Sequence, residues 1–415
     1  MTVPCLAFVE SNTSGTGRLF ARAAAQQGFR PVLLCSDPTR YKYAEEDGLS
    51  TIEVDTTDQK ALLKVCEELA AAPSLAGLMS SSEYFVATAA AVAFELALSG
   101  PNHAAVQKYR DKENQRWRLK QAGIGQPAFQ AASSVNAAIA AAETIGFPVV
   151  VKPVAGTGSI GVKLCCNSDD VARHSKGLLS LGKNERGLSA RRRILIEELV
   201  LGPEYSVETF DNRVIGITGK HLGSLPYFVE VGHDFPAALP SELERVISQT
   251  ALHTLNALDL GWGPAHLELR LADEKPKIIE VNPRLAGGFI PELVRFAYGL
   301  DLISETLKRV TGQEPQLEKR SNGYASLRFI LPANNGFITG VENLAVATQV
   351  PGVVEMRLYS EVGAFVQRQG DFRDRIGHVI ATGDTPEAAC AGAESALSRI
   401  RVILEETSAA ATEER

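Results

Sequence analysis

Two neighbouring segments carry acidic and amide side chains whose spacing could hold a metal ion. In residues 266–271 (HLELRL) and 278–284 (IIEVNPR), polar and apolar residues alternate, and a period of two is typical of half-buried strands. Residues 272–276 (ADEKP) between them are rich in turn formers, so the pair is predicted to be a β-hairpin. A five-residue turn would place Glu268 directly opposite Glu280. The apolar positions predicted to face the core are Leu267, Leu269, Leu271, Ile279 and Val281.

The hairpin would present Glu268, Glu280, Asn282 and Arg284 on one polar face. Like charges that face each other across a ladder destabilise it by roughly 0.2 to 1 kcal/mol, so a positive partner is expected between the two carboxylates. Two carboxylates and an amide oxygen are ligands that Mg²⁺ takes while it keeps other positions for phosphate and water. Arg284 would point at the same anion. The alternative is a solvent-exposed hairpin face whose acids bind nothing.

A second candidate site is the glycine-rich loop at residues 155–161 (AGTGSIG). It joins two strand-like segments, 149–152 and 162–166, and is therefore not a P-loop, which leads from a strand into a helix. Glycines let backbone N–H groups approach an anion closely, so the loop is predicted to be a flap over phosphates; an ordinary hairpin turn is the alternative. Lys152, in an otherwise apolar strand, must reach water or meet an anion, because a buried unpaired ammonium is costly.

The elements that must position these residues follow from the order of strand-like and helix-like segments. These alternate through about the first hundred residues, which predicts a doubly wound parallel sheet of the α/β class. The turn at residues 11–17 could bind an anion or a substrate carboxylate at the start of a helix, or serve only as a capped turn. The predicted domains are 1–103 (α/β), 104–325 with a flap subdomain at about 130–197, 326–405 (α+β), and a disordered tail at 406–415.

Composition is that of a soluble globular protein. The 415 residues carry a net charge of −7 and include no apolar run long enough to cross a bilayer, nor a cleavable leader. An acidic chain is not expected to bind nucleic acid, which needs a basic surface. The six cysteines show no CxxC spacing and are predicted to be reduced, in a cytoplasmic protein without membrane contact. The polar segment 181–193 is predicted to be an exposed connection.

Four groups of residues, in this order along the chain, resemble the motifs of the ATP-grasp ligases. They are Asp111-Lys112 with Arg116 and 122–124 (AGI), Lys152-Pro153 with 156–161 (GTGSIG), 197–200 (EELV) with 202–204 (GPE), and Glu268 with 280–284 (EVNPR). The resemblance extends over the architecture of residues 1–405 and is specific over 105–310. It implies an ATP-grasp fold with an N-terminal parallel sheet, a central ATP-grasp domain with a glycine-loop flap, and a C-terminal α+β domain.

The resemblance also implies a role for each matching residue. ATP would be held by the set Lys112, Lys152, Gly156, Gly158, Ser159, Gly161, Glu197, Glu198, Leu199, Val200 and Glu204. Both lysines would contact phosphates, with Lys152 also near the adenine. Glu197 and the backbone of Leu199 and Val200 would take the adenine edge. Glu204 would take the ribose hydroxyls. Magnesium, expected as two ions for which Mn²⁺ can substitute, would lie on Glu268, Glu280 and Asn282.

The implied chemistry is phosphoryl transfer followed by amide formation. A substrate carboxylate would attack the γ-phosphate of ATP, and an amine would then displace phosphate from the acyl-phosphate. In phosphoryl transfer the protein mainly positions reactants and neutralises charge, and Arg284 and Lys220 would stabilise the transferred group. Apart from the resemblance, Lys112 and Lys220 could equally be ordinary surface lysines.

Further segments look similar to the subgroup of L-amino acid ligases that joins amino acids into dipeptides. These are 219–223 (GKHLG), 226–236 (PYFVEVGHDFP), His266 and 82–85 (SEYF). His266 would act in catalysis by meeting a substrate carboxylate or the incoming amine, or it is a hydrogen-bonded structural histidine. The expected substrate wall comprises Glu83, Tyr84, His233, Gly287 and Gly288, whose glycines leave room for a sizeable substrate. The expected partners are small molecules, amino acids or related compounds, and the expected assembly is a homodimer.

Two alternatives remain open at this point. Residues 377–387 with the following helix resemble the C-terminal domain of biotin carboxylases. One alternative is therefore a carboxylase or purine-pathway ligase that works through carboxyphosphate or formyl-phosphate. The other alternative is a nucleotide-binding regulator without turnover.

Overall fold

A parallel four-stranded sheet opens the fold, which the computed structural model describes for residues 3–13, 15–71 and 74–405. The predicted disordered tail at 406–415 lies outside the described residues. The sheet has the order β3-β2-β1-β4. Its elements are β1 (Cys5–Val9), α1 (Thr16–Gln26), β2 (Arg30–Cys35), α2 (Lys42–Glu46), β3 (Ser50–Glu53), α3 (Gln59–Ala71), β4 (Leu75–Met79) and α4 (Val86–Glu95).

The central position of β1 determines where this sheet can contribute to a site. All five of its residues are buried, as expected for a parallel strand covered on both faces, and the predicted parallel α/β sheet is thereby confirmed. β2 lies on one side of β1 and β4 on the other. Open α/β sheets bind ligands at the carboxyl ends of the strands where the strand order reverses. The loops after β1 and β4 are therefore the parts of the sheet that can reach a ligand.

A small antiparallel sheet carries the glycine loop. Two helices, α5 (His103–Tyr109) and α6 (Lys112–Gln121), precede it. Its strand order is β5-β8-β6-β7, and the loop joins β6 to the antiparallel β7, as predicted. We call residues 129–198 the flap. Its elements are β5 (Phe129–Ala132), α7 (Val135–Ile145), β6 (Val149–Pro153), β7 (Lys163–Cys165), α8 (Ser168–Ser180) and β8 (Ile194–Glu198).

The largest sheet has eight strands in the order β13-β12-β9-β10-β11-β14-β18-β16. Its first part and the associated helices are β9 (Glu204–Phe210), β10 (Arg213–Leu222), β11 (Glu230–Phe235), α9 (Ser241–Leu258), β12 (Pro264–Ala272), β13 (Lys275–Asn282), α10 (Ile290–Tyr298) and α11 (Leu302–Val310). Leu267, Leu269 and Ile278 of the hairpin are buried in one core with Ile247 and Leu255 of α9. Burial of each such side chain contributes about 1.5–3 kcal/mol, so the inner face of the hairpin is firmly anchored.

The C-terminal part of the chain extends this sheet and adds a smaller one. β14, β16 and β18 belong to the eight-stranded sheet, whereas β17, β15 and β19 form a three-stranded sheet. The elements are β14 (Tyr324–Ile330), β15 (Gly336–Glu342), α12 (Leu344–Ala347), β16 (Val353–Leu358), β17 (Phe365–Val366), β18 (Gly377–Gly383), α13 (Pro386–Arg399) and β19 (Arg401–Glu405). Among the described residues, none of the helices has both the length and the apolar character needed to span a bilayer.

Candidate active site

The two acidic strands pair in the predicted register, but by a different route. Glu268 lies opposite Glu280. The turn between β12 and β13 consists only of Asp273 and Glu274, with φ of 49° and 59°, as in tight hairpin turns. A register shift after Glu268 adds one residue, Ile279, to the second strand, and this β-bulge restores the pairing that a five-residue turn would have produced.

The bulge corrects one predicted core position. Ile278, not Ile279, pairs with Leu269 and is fully buried. Arg116 of α6 donates from its two terminal nitrogens to the carbonyls of Ile278 (3.0 Å) and Ile279 (2.6 Å). The buried guanidinium therefore stabilises the bulge, because it donates to backbone carbonyls that have no partner in the irregular part of the ladder.

Lys220 connects Glu268 with two further carboxylates. Its Nζ lies 2.8 Å from Glu268, 3.2 Å from Glu204 and 2.5 Å from Glu230, and its side chain is 1% exposed. Burial alone would lower the pKa of Lys220, but the three carboxylates hold it well above its usual range. Arg375, from the segment before β18, donates to Glu230 at 2.7 Å. Neither Glu230 nor Arg375 was predicted from the sequence to belong to the site.

Lys112 connects Glu280 with the glycine loop. Its Nζ lies 3.0 Å from Glu280 Oε1 and donates to the carbonyl of Gly156 at 2.8 Å. Its backbone N–H donates to Val154 O. The first lysine of the motif set thus holds the flap next to the acidic pair.

The acidic pair fits a divalent cation. Each carboxylate already contacts an ammonium group, Lys220 on Glu268 and Lys112 on Glu280, so both positions favour positive charge. Asn282, the third predicted ligand, lies at the end of β13, and its amide nitrogen donates to Glu280 Oε1 at 3.0 Å. The described residues contain no cluster of three or more His, Cys, Asp or Glu side chains arranged to hold a metal. A metal here would therefore share these few protein ligands with phosphate oxygens, as Mg²⁺ does.

Glu197 is occupied by two cations. Its carboxylate accepts from Arg116 Nε (2.6 Å) and contacts Lys152 Nζ (2.7 Å), and all three side chains are buried. Burial lowers the pKa of Lys152 despite the ion pair. The expected adenine contact of the Glu197 carboxylate remains a prediction, and in the structure this carboxylate neutralises Lys152.

The remaining residues expected around the nucleotide have diverse partners. Glu204 accepts from Arg270 (2.8 Å). Glu198 accepts from Lys277 (2.8 Å) and from the backbone N–H of Ala128, so it braces the flap. Val200 is buried and its carbonyl accepts from Arg270, and Leu199 precedes it just beyond β8.

The glycine loop adopts the backbone conformations that its composition permits. Gly156, Gly158, Ser159 and Gly161 all have positive φ, and Ser159 Oγ donates to Phe228 O (2.9 Å). A Cβ placed on Gly158 would lie 2.4 Å from the ring of Phe372, a residue of the C-terminal part. The loop is therefore held from outside the flap, and Gly158 is required for the close approach.

Arg284 joins three parts of the molecule. Its Nε donates to Glu83 (2.8 Å), in the loop after β4, and its terminal nitrogens donate to Leu285 O (2.9 Å) and Thr157 Oγ1 (3.3 Å). The Asn282 amide also lies 3.0 Å from Glu83 Oε2. Glu83, expected in the substrate wall, thus lies beside Asn282 and Arg284, which are predicted to bind the metal and the phosphoryl group.

His266 is enclosed by two carboxylates. Nδ1 lies 3.0 Å from Glu208 and Nε2 lies 3.2 Å from Glu268. Although burial alone would lower the pKa of His266, the two carboxylates raise it to about 9. His266 is therefore an imidazolium at neutral pH, which fits the hydrogen-bonded structural alternative as well as a charge-stabilising role.

His233 and the glycine pair form another buried contact. His233 is fully buried, and neither ring nitrogen has a hydrogen-bond partner among the described residues. A Cβ on Gly288 would lie 2.7 Å from its Nε2, whereas a Cβ on Gly287 would meet nothing within 4 Å. Burial lowers the pKa of His233 to about 3, so the ring is neutral. Gly288 is needed for packing, and Gly287 leaves the open space that was expected.

The segment 181–193 is largely exposed, as predicted, but several of its side chains bind the N-terminal part of the chain, and we call it the strap. Arg186 donates to Glu10 (3.0 Å) and to the Tyr41 hydroxyl (2.7 Å), and Tyr84 donates to Glu185. Arg191 pairs with Asp111 and Arg193 with Glu113. A polar segment rich in basic residues can be a free loop or a docked one, and the sequence alone does not show which acidic residues of distant elements it meets.

Comparison with known proteins relates this arrangement to a family. Residues 145–292 match the model of an ATP-grasp domain, and residues 328–405 match that of the L-amino acid ligase C-terminal domain 2. The chain belongs to the ATP-grasp superfamily of ligases. A Sinorhizobium fredii relative, uncharacterized protein y4rH, is 34% identical over 378 residues, which cover 91% of this chain and 78% of the relative. The ATP-grasp fold expected from the resemblance is thereby confirmed.

More distant relatives of the ligase include named enzymes. The L-arginine-specific L-amino acid ligase of Bacillus subtilis is 24% identical over 76% of this chain and 77% of its own length. Carnosine synthase 1 of Gallus gallus is 28% identical over 60% of this chain but only 28% of its own length. The crystal structure of the Bacillus licheniformis L-amino acid ligase has a TM-score of 0.81 at 21% identity, covering 97% of this chain and 99% of that one. At this identity the structure shows the shared fold.

Proposed function

We propose that this ligase joins the carboxylate of one amino acid to the amine of another through an acyl-phosphate, with release of ADP and phosphate. The observation that carries the proposal is the register of the hairpin, which sets Glu268 opposite Glu280 and places Asn282 beside them. Arg284, two residues further on, reaches the glycine loop and the N-terminal sheet at once. Nucleotide, metal and substrate could therefore meet at this point.

Glu268, Glu280 and Asn282 would hold the magnesium ions expected with ATP. Bound there, Mg²⁺ would neutralise charge on the β- and γ-phosphate oxygens. The protein contributes fixed donors around that position. Lys112 and the glycine loop would bind phosphate oxygens, and Lys152, whose charge Glu197 balances, would lie against the nucleotide.

Arg284 and Lys220 would stabilise charge on the transferred phosphoryl group and on the acyl-phosphate. Arg284 has a planar fork fixed by Glu83 and by Leu285 O, which favours bidentate contact with an oxyanion. Lys220 is held at the junction of three carboxylates. His266, charged at neutral pH, would hold Glu268 in place and add positive potential. Preorganised charge of this kind is the main catalytic device of phosphoryl transfer.

Amino acids are the proposed substrates because of both the site and the relatives. The substrate wall would be built by Glu83, Tyr84, His233, Gly287 and Gly288, where Gly287 leaves open space. Two relatives have names that specify amino-acid ligation, namely the L-arginine-specific ligase and carnosine synthase 1. We also propose a cytoplasmic homodimer in which Mn²⁺ can replace Mg²⁺.

A phosphate-release screen tests the proposal. The ligase with ATP and Mg²⁺ is given single and paired amino acids and, in parallel, bicarbonate and formate, and the product is identified by mass spectrometry. Phosphate release that requires amino acids and yields an amide supports the proposal. Release with bicarbonate or formate alone would replace it with the carboxylase or purine-pathway alternative, and no release with any substrate would favour a regulator.

Glu280→Gln tests the metal assignment. The amide keeps the shape of the side chain but loses the charge, so we expect phosphate release to fall by at least about 100-fold, or about 2.7 kcal/mol, while the thermal unfolding midpoint stays near that of the wild type. Glu274→Gln, in the exposed turn of the same hairpin, is the matched control. Normal turnover of the Glu280 variant would contradict the proposal that Glu280 binds the metal.

A further inference from the structure

Arg110, the residue after α5, carries a guanidinium group with an unusual lack of partners. Its Nε is buried and has no hydrogen-bond partner among the described residues. Its ion-pair contact is with Glu83, whose Oε1 lies 3.9 Å from Nε, beyond hydrogen-bonding distance. The side chain is 21% exposed, so it is not enclosed in the core.

Charge is not balanced around Arg110. Glu83 carries one negative charge, and its other oxygen already accepts from Arg284 at 2.8 Å. The neighbouring Arg191 repels Arg110 and is itself paired with Asp111. Burial therefore lowers the pKa of Arg110 although Glu83 is near. A largely buried cation without a hydrogen-bonded partner is costly, and a bound anion would remove that cost.

The position of Arg110 connects it with the substrates rather than with the core. Glu83 and Tyr84 belong to the loop after β4, at the edge where parallel sheets receive ligands. The Tyr84 hydroxyl lies 3.9 Å from a Cβ placed on Gly156. Arg110 is therefore near the point where that loop, Arg284 and the glycine loop converge.

The proposed reaction leaves one anion without an assigned cation. The carboxylate of the acyl donor becomes the acyl-phosphate, whose charge Arg284 and Lys220 would stabilise. The α-carboxylate of the amine-donating amino acid does not react and stays charged throughout. We propose that Arg110 binds this α-carboxylate, an inference that rests on the proposed ligase function. A guanidinium group can bind a carboxylate with two parallel hydrogen bonds, and it would thereby direct the amine of the same molecule toward the acyl-phosphate.

The test compares each amino acid that serves as amine donor with its carboxamide, at a fixed acyl donor. Charge-assisted hydrogen bonds are strong enough for the wild type to prefer the amino acid by about 10- to 100-fold in kcat/KM. Arg110→Gln is expected to lose that preference, with the activity on the carboxamide and the KM for ATP within about twofold of the wild type. Arg110→Lys should keep part of the preference, because a point charge cannot form the fork.

Arg192→Gln is the matched control, since Arg192 is exposed and has no ion pair or hydrogen bond within the ranges that the structure describes. An unchanged preference in Arg110→Gln overturns the proposal, as does a wild type that accepts both amine donors equally. A raised KM for ATP with the preference intact would assign Arg110 to the nucleotide phosphates instead. A loss of all activity in Arg110→Gln with Arg110→Lys fully active would also contradict a bidentate contact.

Failure of the ligase function itself would be seen separately, as absence of amino-acid-dependent phosphate release in the wild type. The carboxylate site is then judged by thermal unfolding with ADP and Mg²⁺ in the presence of glycine or glycinamide. Stabilisation by glycine alone, lost in Arg110→Gln and kept in Arg192→Gln, would support the site. Equal effects of the two probes would refute it.

Discussion

Single carboxylates in this ligase take their roles from the cations around them. Glu197 lies between Arg116 and Lys152, and these two neighbours hold the pKa of its buried carboxyl below the usual value although burial alone would raise it. Glu268 lies between Lys220 and His266; burial would raise the pKa of this carboxyl, but the two cations hold it well below its usual range. Both groups are therefore ionised at neutral pH, one as a counter-ion to a lysine and the other as an available oxygen ligand.

At the same scale, Arg284→Ala should reduce turnover far more than nucleotide binding. The arginine contacts Glu83 and the glycine loop, and its proposed interaction is with charge that grows in the transition state. We expect kcat to fall by about 100-fold or more, or about 2.7 kcal/mol, with the Kd for ADP within about threefold. Arg284→Lys should restore only part of the rate because it lacks the fork. Loss of ADP binding with kcat retained would contradict this role.

His266 should make stability depend on alkaline pH. The pKa of His266 is about 9 in the folded protein, above the value of about 6.5 in an unfolded chain. Its stabilising contribution is therefore fully present below about pH 6.5 and is lost as the pH rises through 9. Urea unfolding gives the free energy of unfolding of the wild type and of His266→Gln at each pH. The difference between the two should fall by about 2–3 kcal/mol from about pH 6.5 to 9. A difference that is constant with pH would show that His266 is not charged.

At the scale of elements, the β-bulge of β13 decides which residues form the site. Without the bulge, the two-residue turn would pair Glu268 with Ile279 and place Glu280 on the apolar face. Arg116 holds the two bulge carbonyls and Glu197 together. One helix residue thereby couples the hairpin to β8 of the flap.

Gly158→Ala should alter the glycine loop without unfolding the protein. A Cβ would lie 2.4 Å from Phe372, and φ is 64°, which costs a non-glycine residue about 1–2 kcal/mol. If the loop binds phosphates, that cost should appear as a rise of about 5- to 30-fold in the KM for ATP. Gly177→Ala in α8 is the control, because nothing lies within 4 Å of its added Cβ. An unchanged KM for ATP would mean that the loop does not contact the nucleotide.

At the scale of the whole molecule, contacts at two places hold the flap over the site, one through the strap, which is part of the flap, and one through the C-terminal part of the chain. The strap at 181–193 docks Arg186 against Glu10 at the end of β1. From the other side, the N–H of Phe372 donates to Gly158 O (3.2 Å). The N-terminal sheet thus contributes a docking place for the flap as well as Glu83. Its first turn, considered as an anion site from the sequence, lies next to this ion pair.

Arg186→Met should destabilise the folded protein through its effect on Glu10. Glu10 is buried and would keep its hydrogen bonds to Ser36 and Thr56 but lose its ion pair with Arg186. The free energy of unfolding should therefore fall by about 1–3 kcal/mol, which is typical of a buried group left partly unsatisfied. Urea unfolding measures this, and Arg192→Met is the control in the same strap. A double-mutant cycle with Glu10→Gln should show coupling. Additive effects would mean that the pair does not hold the strap.

The hairpin and its acidic pair could be predicted because both depend on neighbours in the chain, whereas the motif groups were identified only through the family resemblance. Alternation with a period of two sets the faces of a strand, and turn formers mark where it reverses. The bulge could not be predicted, because the apolar pair Ile278-Ile279 fits either register and the choice depends on Arg116 from another helix.

Only the tertiary structure decided which charges meet. Glu230 and Arg375 are far apart in sequence and form the surroundings of Lys220 only because β10 pairs with β11 and the segment before β18 reaches Glu230. By itself, the sequence determined the kinds of ligand that the hairpin could bind, because ligand chemistry follows from side-chain type. The ionisation, reach and partners of those side chains came from packing, since burial and distance set the strength of each electrostatic contact.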